Sequence, residues 1–280
     1  MIAAALTASE PELTAVPGTV SVWCGQPDSQ PLYSRDPDVT HNAASTMKVG
    51  VMVAAYRLAD AGRLNLDAEV EVHDDFESIS GAGPFRNDRD RDNDEQTWQR
   101  LGATVPLRWL IERMIVKSSN LATNLVLEQV WSRDPQAVTA VWRDVGARGS
   151  VTARGIEDYA AQRAGLTNLV TAADLAALLS AIRGNRLASP SSCAEMLAIL
   201  LAQEVDDDIV EGLPAGVPVA HKNGWDEGIR HSAALIMPAD APEFVLVICV
   251  SAALSDAEGR RLLARIAAAA WADRKTIAAG

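Results

Sequence analysis

Apolar residues change their spacing twice along this chain, and the two changes divide it into three parts. Near the N-terminus, after a short helical stretch, two strand-like runs at Thr19–Cys24 and Pro31–Ser34 flank the turn-rich "GQPDSQ", which predicts a hairpin. From Ser45 to about residue 62 the spacing becomes helical and stops at "DAGRL", where Gly62 suits a C-terminal cap. Helical spacing then dominates from about 106 to 205: Leu110, Ile111, Met114 and Ile115 form one apolar face, and Leu121, Leu125 and Val130 another. "TAAD" at Thr171 to Asp174 resembles a capping box ahead of "LAALLSAI", with Asp in place of the usual Glu. Period-two and continuous apolar runs return in "VPVAHKNGW", "IRHSAALIM" and "EFVLVICV", before a last helical stretch, "DAEGRRLLARIAAAAWADRK". Strands at both ends around a helical block predict a sheet completed by the two termini, with a helical unit inserted into it. The expected division is an α/β sandwich from 1–40 and 210–280 and an all-α domain from 41–209, with any functional site expected between them.

Residues 74–95, "DDFESISGAGPFRNDRDRDNDE", interrupt this pattern with alternating charges and glycines, which predicts an exposed excursion. Calcium is the sharper reading of its Asp run. An EF-hand loop, however, needs Gly at position six and Glu at position twelve, and counting from Asp88 finds Asn93 and Gln99. A solvated loop is therefore expected, with no metal and no cofactor.

Composition narrows the partners. The chain has 280 residues, 48% of them hydrophobic and 22% charged, enough for a sizeable core. Its net charge of −12 comes with no basic stripe, which argues against nucleic acid or an anionic membrane as partner. No window approaches the roughly 18–20 uncharged apolar residues of a membrane span. Cys24, Cys193 and Cys249 are odd in number and far apart, and read as buried thiols. The first basic residue is Arg35, so no positively charged leader precedes an apolar run, and a cytoplasmic location is expected. Trimming of a leader would make it periplasmic or secreted.

Three polar clusters carry the candidate chemistry. In "AASTMKVGVM", Ser45 and Lys48 lie three apart and share a helical face, so the amine can approach the hydroxyl, and backbone N–H groups at the helix start can stabilise an oxyanion. A capping serine beside a snorkelling lysine gives the same letters. Ser118 and Asn120, in "KSSN", can face one cleft only if the chain bends between two helical runs; a plain cap by Ser118 or Ser119 is the simpler alternative. Lys222, Asn223 and Gly224 end a strand, where glycine admits a close approach to the backbone and lysine adds a fixed charge. The chain has only four lysines against 21 arginines, and two of the four fall in these clusters.

In order, "STMK", "SSN" and "KNG" resemble the S-x-x-K, S-D-N and K-T-G signature of class A β-lactamases and penicillin-binding proteins, and the likeness runs from about residue 19 to the C-terminal helix. It implies that family's fold, an antiparallel sheet with flanking terminal helices plus an all-α domain. It also implies a monomeric serine hydrolase acting on a small-molecule amide or ester, above all a β-lactam. Carried over, Ser45 is the nucleophile that becomes acylated, Lys48 its base, and Ser118 a proton relay. Asn120 contacts the substrate amide, Lys222 offsets negative charge, and the N–H groups of Ser45 and Trp225 form the oxyanion hole.

Three departures qualify the resemblance. Ser119 stands where the family has Asp, a loop-supporting position. Asn223 stands where it has Thr or Ser, so a hydroxyl that recognises the β-lactam carboxylate is missing, and Arg230 or His231 on the next strand is expected to help hold that carboxylate. The E-x-E-L-N string that supplies the deacylating base is absent. Glu157, or less favourably Asp158, in "RGIEDYAAQRAG" is the nearest substitute, although acidic residues also suit a helix start. The alternatives are an esterase or acyltransferase on the same fold, a penicillin-binding or sensor-like domain that stays acylated, and a degenerate structural homologue.

Overall fold

In the computed structural model, which describes residues 3–277, an antiparallel sheet separates two apolar cores. Two short helices, Ala4–Ala8 and Glu10–Ala15, precede strands β1 (Gly18–Gly25) and β2 (Tyr33–Arg35). The expected single helix is broken at Ser9, and Pro11 opens the second piece, where its missing N–H costs no bond. The chain then enters helix α1 (Lys48–Asp60), a pair of helices α2 (Leu107–Val116) and α3 (Asn120–Arg133), and helix α4 (Ala172–Arg183). It returns through β3 (Val219–Asp226), β4 (Ile229–Ile236) and β5 (Phe244–Ala252) and ends in helix α5 (Asp256–Ile277).

The strand order is β2-β1-β5-β4-β3, so β5 sits at the centre and β3 at one edge. Alternation along β5 explains its uninterrupted apolar run: Val245, Val247 and Cys249 join the core shared with α1–α4, while Leu246, Ile248 and Val250 pack with Leu262, Leu263 and Ile266 of α5. Both faces are covered, so every position favours an apolar residue. All three cysteines are buried free thiols. No described helix is long and apolar enough to cross a membrane.

Two local expectations need refinement. Segment 74–95 is exposed over most of its length, as expected, but it is anchored at a few buried positions. Phe76 is buried and pairs with Phe85 in a small hairpin, and the buried ion pair of Asp94 with Arg113 ties the segment to α2. Burial works against that carboxylate, yet the Arg113 and Thr97 hydrogen bonds hold Asp94 below its ordinary value. The aspartates serve local structure: Asp88 caps the turn at Arg89–Arg91 and Asp94 caps the helix Glu95–Trp98. The capping box at Thr171 is only half formed. Thr171 accepts from Asp174 N, but the Asp174 carboxylate accepts the N–H groups of Arg148, Gly149 and Ser150 rather than reaching back.

Candidate active site

Ser45 lies in a 3-10 turn, Ala44–Met47, that runs directly into α1. In such a turn side chains three apart eclipse one another, which favours one side for Ser45 and Lys48, although the hydrogen bonds of Lys48 go to Ser118 and Asn120 and none joins it to Ser45 among the described residues. Ala44 has φ +43°, in the left-handed region an alanine avoids, so the backbone immediately before Ser45 is strained. Ser118 (φ +56°) and Glu157 (φ +66°) share this feature. The bend that Ser118 makes between α2 and α3 is what lets Ser118 and Asn120 face the same lysine.

That lysine is fully buried. Lys48 Nζ lies 2.8 Å from Ser118 O, 3.0 Å from Asn120 Oδ1 and 3.3 Å from Ser118 Oγ. Desolvation lowers it to about 7, against the opposing pull of Asp92 and Glu157. A neutral amine has two N–H donors and one lone pair, and the two carbonyl oxygens take the donors. The lone pair is then free to accept a hydroxyl proton. Lys222, also fully buried on β3, donates to Ser118 Oγ at 2.9 Å and to Asn223 O at 2.8 Å. Burial first, then Lys48, hold Lys222 well below its ordinary value. One hydroxyl thus links two mutually repelling amines, which suits it to passing a proton.

Gly224 explains how β3 reaches the nucleophile. A Cβ there would lie 2.7 Å from Ser45 N and 3.0 Å from Thr46 N, so only glycine lets the strand edge lie against the start of the turn. Trp225, one residue on, lines the same cleft as Ser45.

Opposite stands the loop 151–169, closed by the bridge Val151–Leu169. Asn168 binds Ala153 N, Arg154 N and Arg154 O, and Asn124 of α3 binds Ile156 N and Ile156 O. The loop is therefore held by side-chain amides rather than by a ladder. Glu157 projects into the cleft, where Oε1 accepts from Asn120 Nδ2 at 3.1 Å and Oε2 from Asp88 N at 2.7 Å. Burial raises its pKa, although hydrogen bonds from Asp88, Asn87 and Asn120 oppose the shift. Asp158 points elsewhere: it caps the helix Tyr159–Arg163 and accepts from Ser78 Oγ and Ile79 N.

Three expected substrate contacts are not at the cleft. Asn223 is buried, and its amide donates to Val205 O and Asp208 Oδ2, so it cannot also meet a ligand. Arg230 is tied to Asp207, Asp208 and Asp256, and its guanidinium lies behind Trp225, 5.1 Å from the ring centre. His231 is sealed between β4 and its neighbours, donating through Nε2 to Asn42 O and accepting Val250 N at Nδ1. Burial pushes it down to about 4. Alternation along β4 puts the two on opposite faces, but an acidic cluster claims Arg230 and the sheet interior His231.

Ser119, in contrast, has its lost carboxylate replaced. It caps α3 and donates to Asp92 Oδ2, which also accepts Leu121 N at 2.8 Å, so the acid arrives from segment 74–95. That segment supplies further cleft residues the motifs did not reveal: Asp90, Arg91 and Asn93, joined by Asn42, Arg154 and Asn168 from elsewhere. Nothing in the sequence pattern marked Asn124 as the loop's staple, since Asn120 and Glu128 on the same helix face are polar as well. The cleft holds a cavity of about 320 Å³.

The model of a family described as "Beta-lactamase enzyme family" matches residues 2–273. No curated protein matches. Among solved structures, PBP-A is 20% identical, with 98% of this chain and 96% of that one covered and a TM-score of 0.80. A β-lactamase from Sphaerobacter thermophilus is 24% identical, with 99% of each chain covered and a TM-score of 0.80. One from Xanthomonas campestris is 21% identical over 98% of this chain and 97% of that one, again at 0.80. At such identities the structural likeness speaks for the fold.

Proposed function

The chain belongs to the β-lactamase enzyme family and has the class A β-lactamase fold; from that premise we propose that it is a serine hydrolase that opens an amide or ester, above all a β-lactam, through an acyl-Ser45 intermediate. The observation that carries the reading is the buried Lys48, lowered to about 7 and sharing Ser118 with Lys222.

Ser45 Oγ attacks the carbonyl carbon while neutral Lys48 takes its proton, giving a tetrahedral oxyanion held by the N–H groups of Ser45 and Trp225. The C–N or C–O bond then breaks. The proton passes from Lys48 through Ser118 to the departing atom, leaving Ser45 as an ester and Lys48 neutral again. Lys222 keeps the Ser118 hydroxyl oriented and offsets negative charge beside it. Glu157 then takes a proton from a water that attacks the ester, and returns it to Ser45 Oγ as the acid product leaves. A solved structure with this fold, a point mutant of PBP-A, is an acyl-enzyme complex with penicillin G, which supports the same intermediate here.

The engaged Asn223 favours a second reading, an esterase or acyltransferase whose substrate lacks the β-lactam carboxylate. Incubating wild type and Ser45→Ala with a chromogenic cephalosporin, a penicillin and a simple aryl ester, with intact-mass detection of adducts, separates them. Turnover of the lactams that falls by at least about 10⁴-fold in Ser45→Ala is expected. Reaction with the ester alone would establish the second reading, and reaction unaffected by Ser45→Ala would exclude both.

A further inference from the structure

Among the described residues, Arg154 is a cleft cation with no carboxylate paired to it. Arg154 is 8% exposed and lines the cavity with Ser45 and Glu157. Its guanidinium makes one hydrogen bond to the described residues, from Nη1 to Gly155 O at 2.9 Å, while Nε is buried with no partner. No ion pair among the described residues includes it. A buried guanidinium without a carboxylate is costly, and the desolvation shows as a lowered pKa, only partly opposed by Asp158, Tyr159 and Asp226 at longer range.

The other cations that line or back the cleft have partners among the described residues. Lys48 and Lys222 are wholly buried and bonded to Ser118, Asn120 and Asn223. Arg230 is held by three aspartates behind Trp225. Arg91 is half exposed and paired with Asp226 at 3.2 Å, where solvent screens it. The cavity also presents the carboxylates of Asp90, Glu157 and Asp226, so an anionic ligand group would be repelled from most of its wall.

We infer that Arg154 is the specificity-determining residue for an anionic substrate, receiving a carboxylate from the loop side of the cleft, where neither Asn223 nor Arg230 can reach. The inference rests on the acyl-transfer reading above and adds to it the substrate's charge and the place where that charge is read. Arg154 is suited to the task because its backbone N and O are both fixed by Asn168, at 3.0 Å each, which anchors the root of the side chain before any ligand arrives. A carboxylate can accept two parallel bonds from the guanidinium fork and neutralise it in the same step.

The test compares carbenicillin, which carries an additional carboxylate on its acyl side chain, away from the departing nitrogen that Ser118 serves, with penicillin G, which lacks it. Acylation of wild type, Arg154→Gln and Arg154→Lys is followed by intact mass over a range of concentrations. For Arg154→Gln, acylation by carbenicillin should fall by about 10–100-fold, mostly as weaker saturation, while acylation by penicillin G changes by less than about twofold. Arg154→Lys, which keeps the charge and the space but not the fork, should lose part of the preference, and it carries the test if the glutamine variant does not fold. An equal fall for both compounds, or none, overturns the inference and leaves Arg154 a structural residue of the loop. If neither compound acylates wild type, the β-lactam reading has failed. Calorimetric titration with phenylacetate then decides the anchor separately: binding to wild type that weakens in Arg154→Gln or Arg154→Lys upholds it, and binding unchanged by either variant, or absent from wild type, overturns it.

Discussion

On the sheet side of the cleft, Lys48, Ser118 and Lys222 hang from helix starts and a strand, and their polar atoms bond to one another. On the loop side, Glu157 and Arg154 stand on a segment held mainly by side-chain hydrogen bonds, one of them strained in backbone and the other short of partners. The first wall is preorganised for taking and passing a proton. The second places the groups that meet water and the substrate's periphery. The contrast suggests that the two half-reactions, acylation and deacylation, are assigned to different walls, and substitutions can show whether that assignment holds.

The largest effect is expected at Lys48. Lys48→Met removes the base and leaves Ser118 O and Asn120 Oδ1 without their donor, so acylation should fall by about 10²–10⁴-fold. In wild type the acylation rate should rise as pH increases through about 7, because only the deprotonated amine can accept the Ser45 proton, and should level off above it. Adduct formation measured from mildly acid to mildly alkaline buffer checks both points. A flat profile would take the proton transfer away from Lys48.

Glu157→Gln comes next and probes the opposite wall. Deacylation should slow by about 10²–10³-fold, so that an adduct accumulates where wild type turns over. Glu157 also raises the Lys48 pKa through its charge, so neutralising it should move the alkaline rise of acylation to lower pH. Burst kinetics read the first effect and the pH profile the second. If acylation slows as much as deacylation, the walls do not divide the work.

The same contrast explains what was legible in the sequence. Ser45–Lys48 and Lys222–Gly224 are short spacings on regular elements, where periodicity fixes which side chains share a face. Ser118 and Asn120 required only a bend, which the break in the apolar face at "KSS" announced. The strands and long helices were readable for the same reason, each burying a continuous apolar face. The loop wall was not. Glu157 meets Asn120 across 37 positions and Asp88 across 69, and such meetings depend on which polar groups are left over once the cores have formed. Arg230 and His231 failed as substrate contacts because alternation gives a side chain's face but not its neighbours. Neither the acidic residues at Asp207 and Asp208 nor the tight seat beside Asn42 is signalled by β4 itself.

The smallest change expected, and the sharpest for the comparison, is Asn124→Ala. This helix residue touches neither Ser45 nor Lys48, yet it accepts Ile156 N at 2.8 Å and donates to Ile156 O and Asn87 Oδ1 at 2.9 Å each. Truncation leaves Ile156 N, next to Glu157, without its acceptor and Ile156 O with only the longer Asn87 Nδ2 bond at 3.3 Å, at a cost of about 1–3 kcal/mol if those groups remain dry. Opening to water lowers that cost but frees the loop. Hydrogen exchange should therefore accelerate at residues 152–158 while α1 and β3 stay protected. Deacylation should weaken with it, because Glu157 is no longer held at one place, whereas acylation stays within about threefold, since a well-satisfied lysine wall does not depend on the loop for its geometry. Should exchange accelerate across α1 as well, Asn124 would be a support of the whole cleft, and the two walls would have to be treated as one cooperative unit.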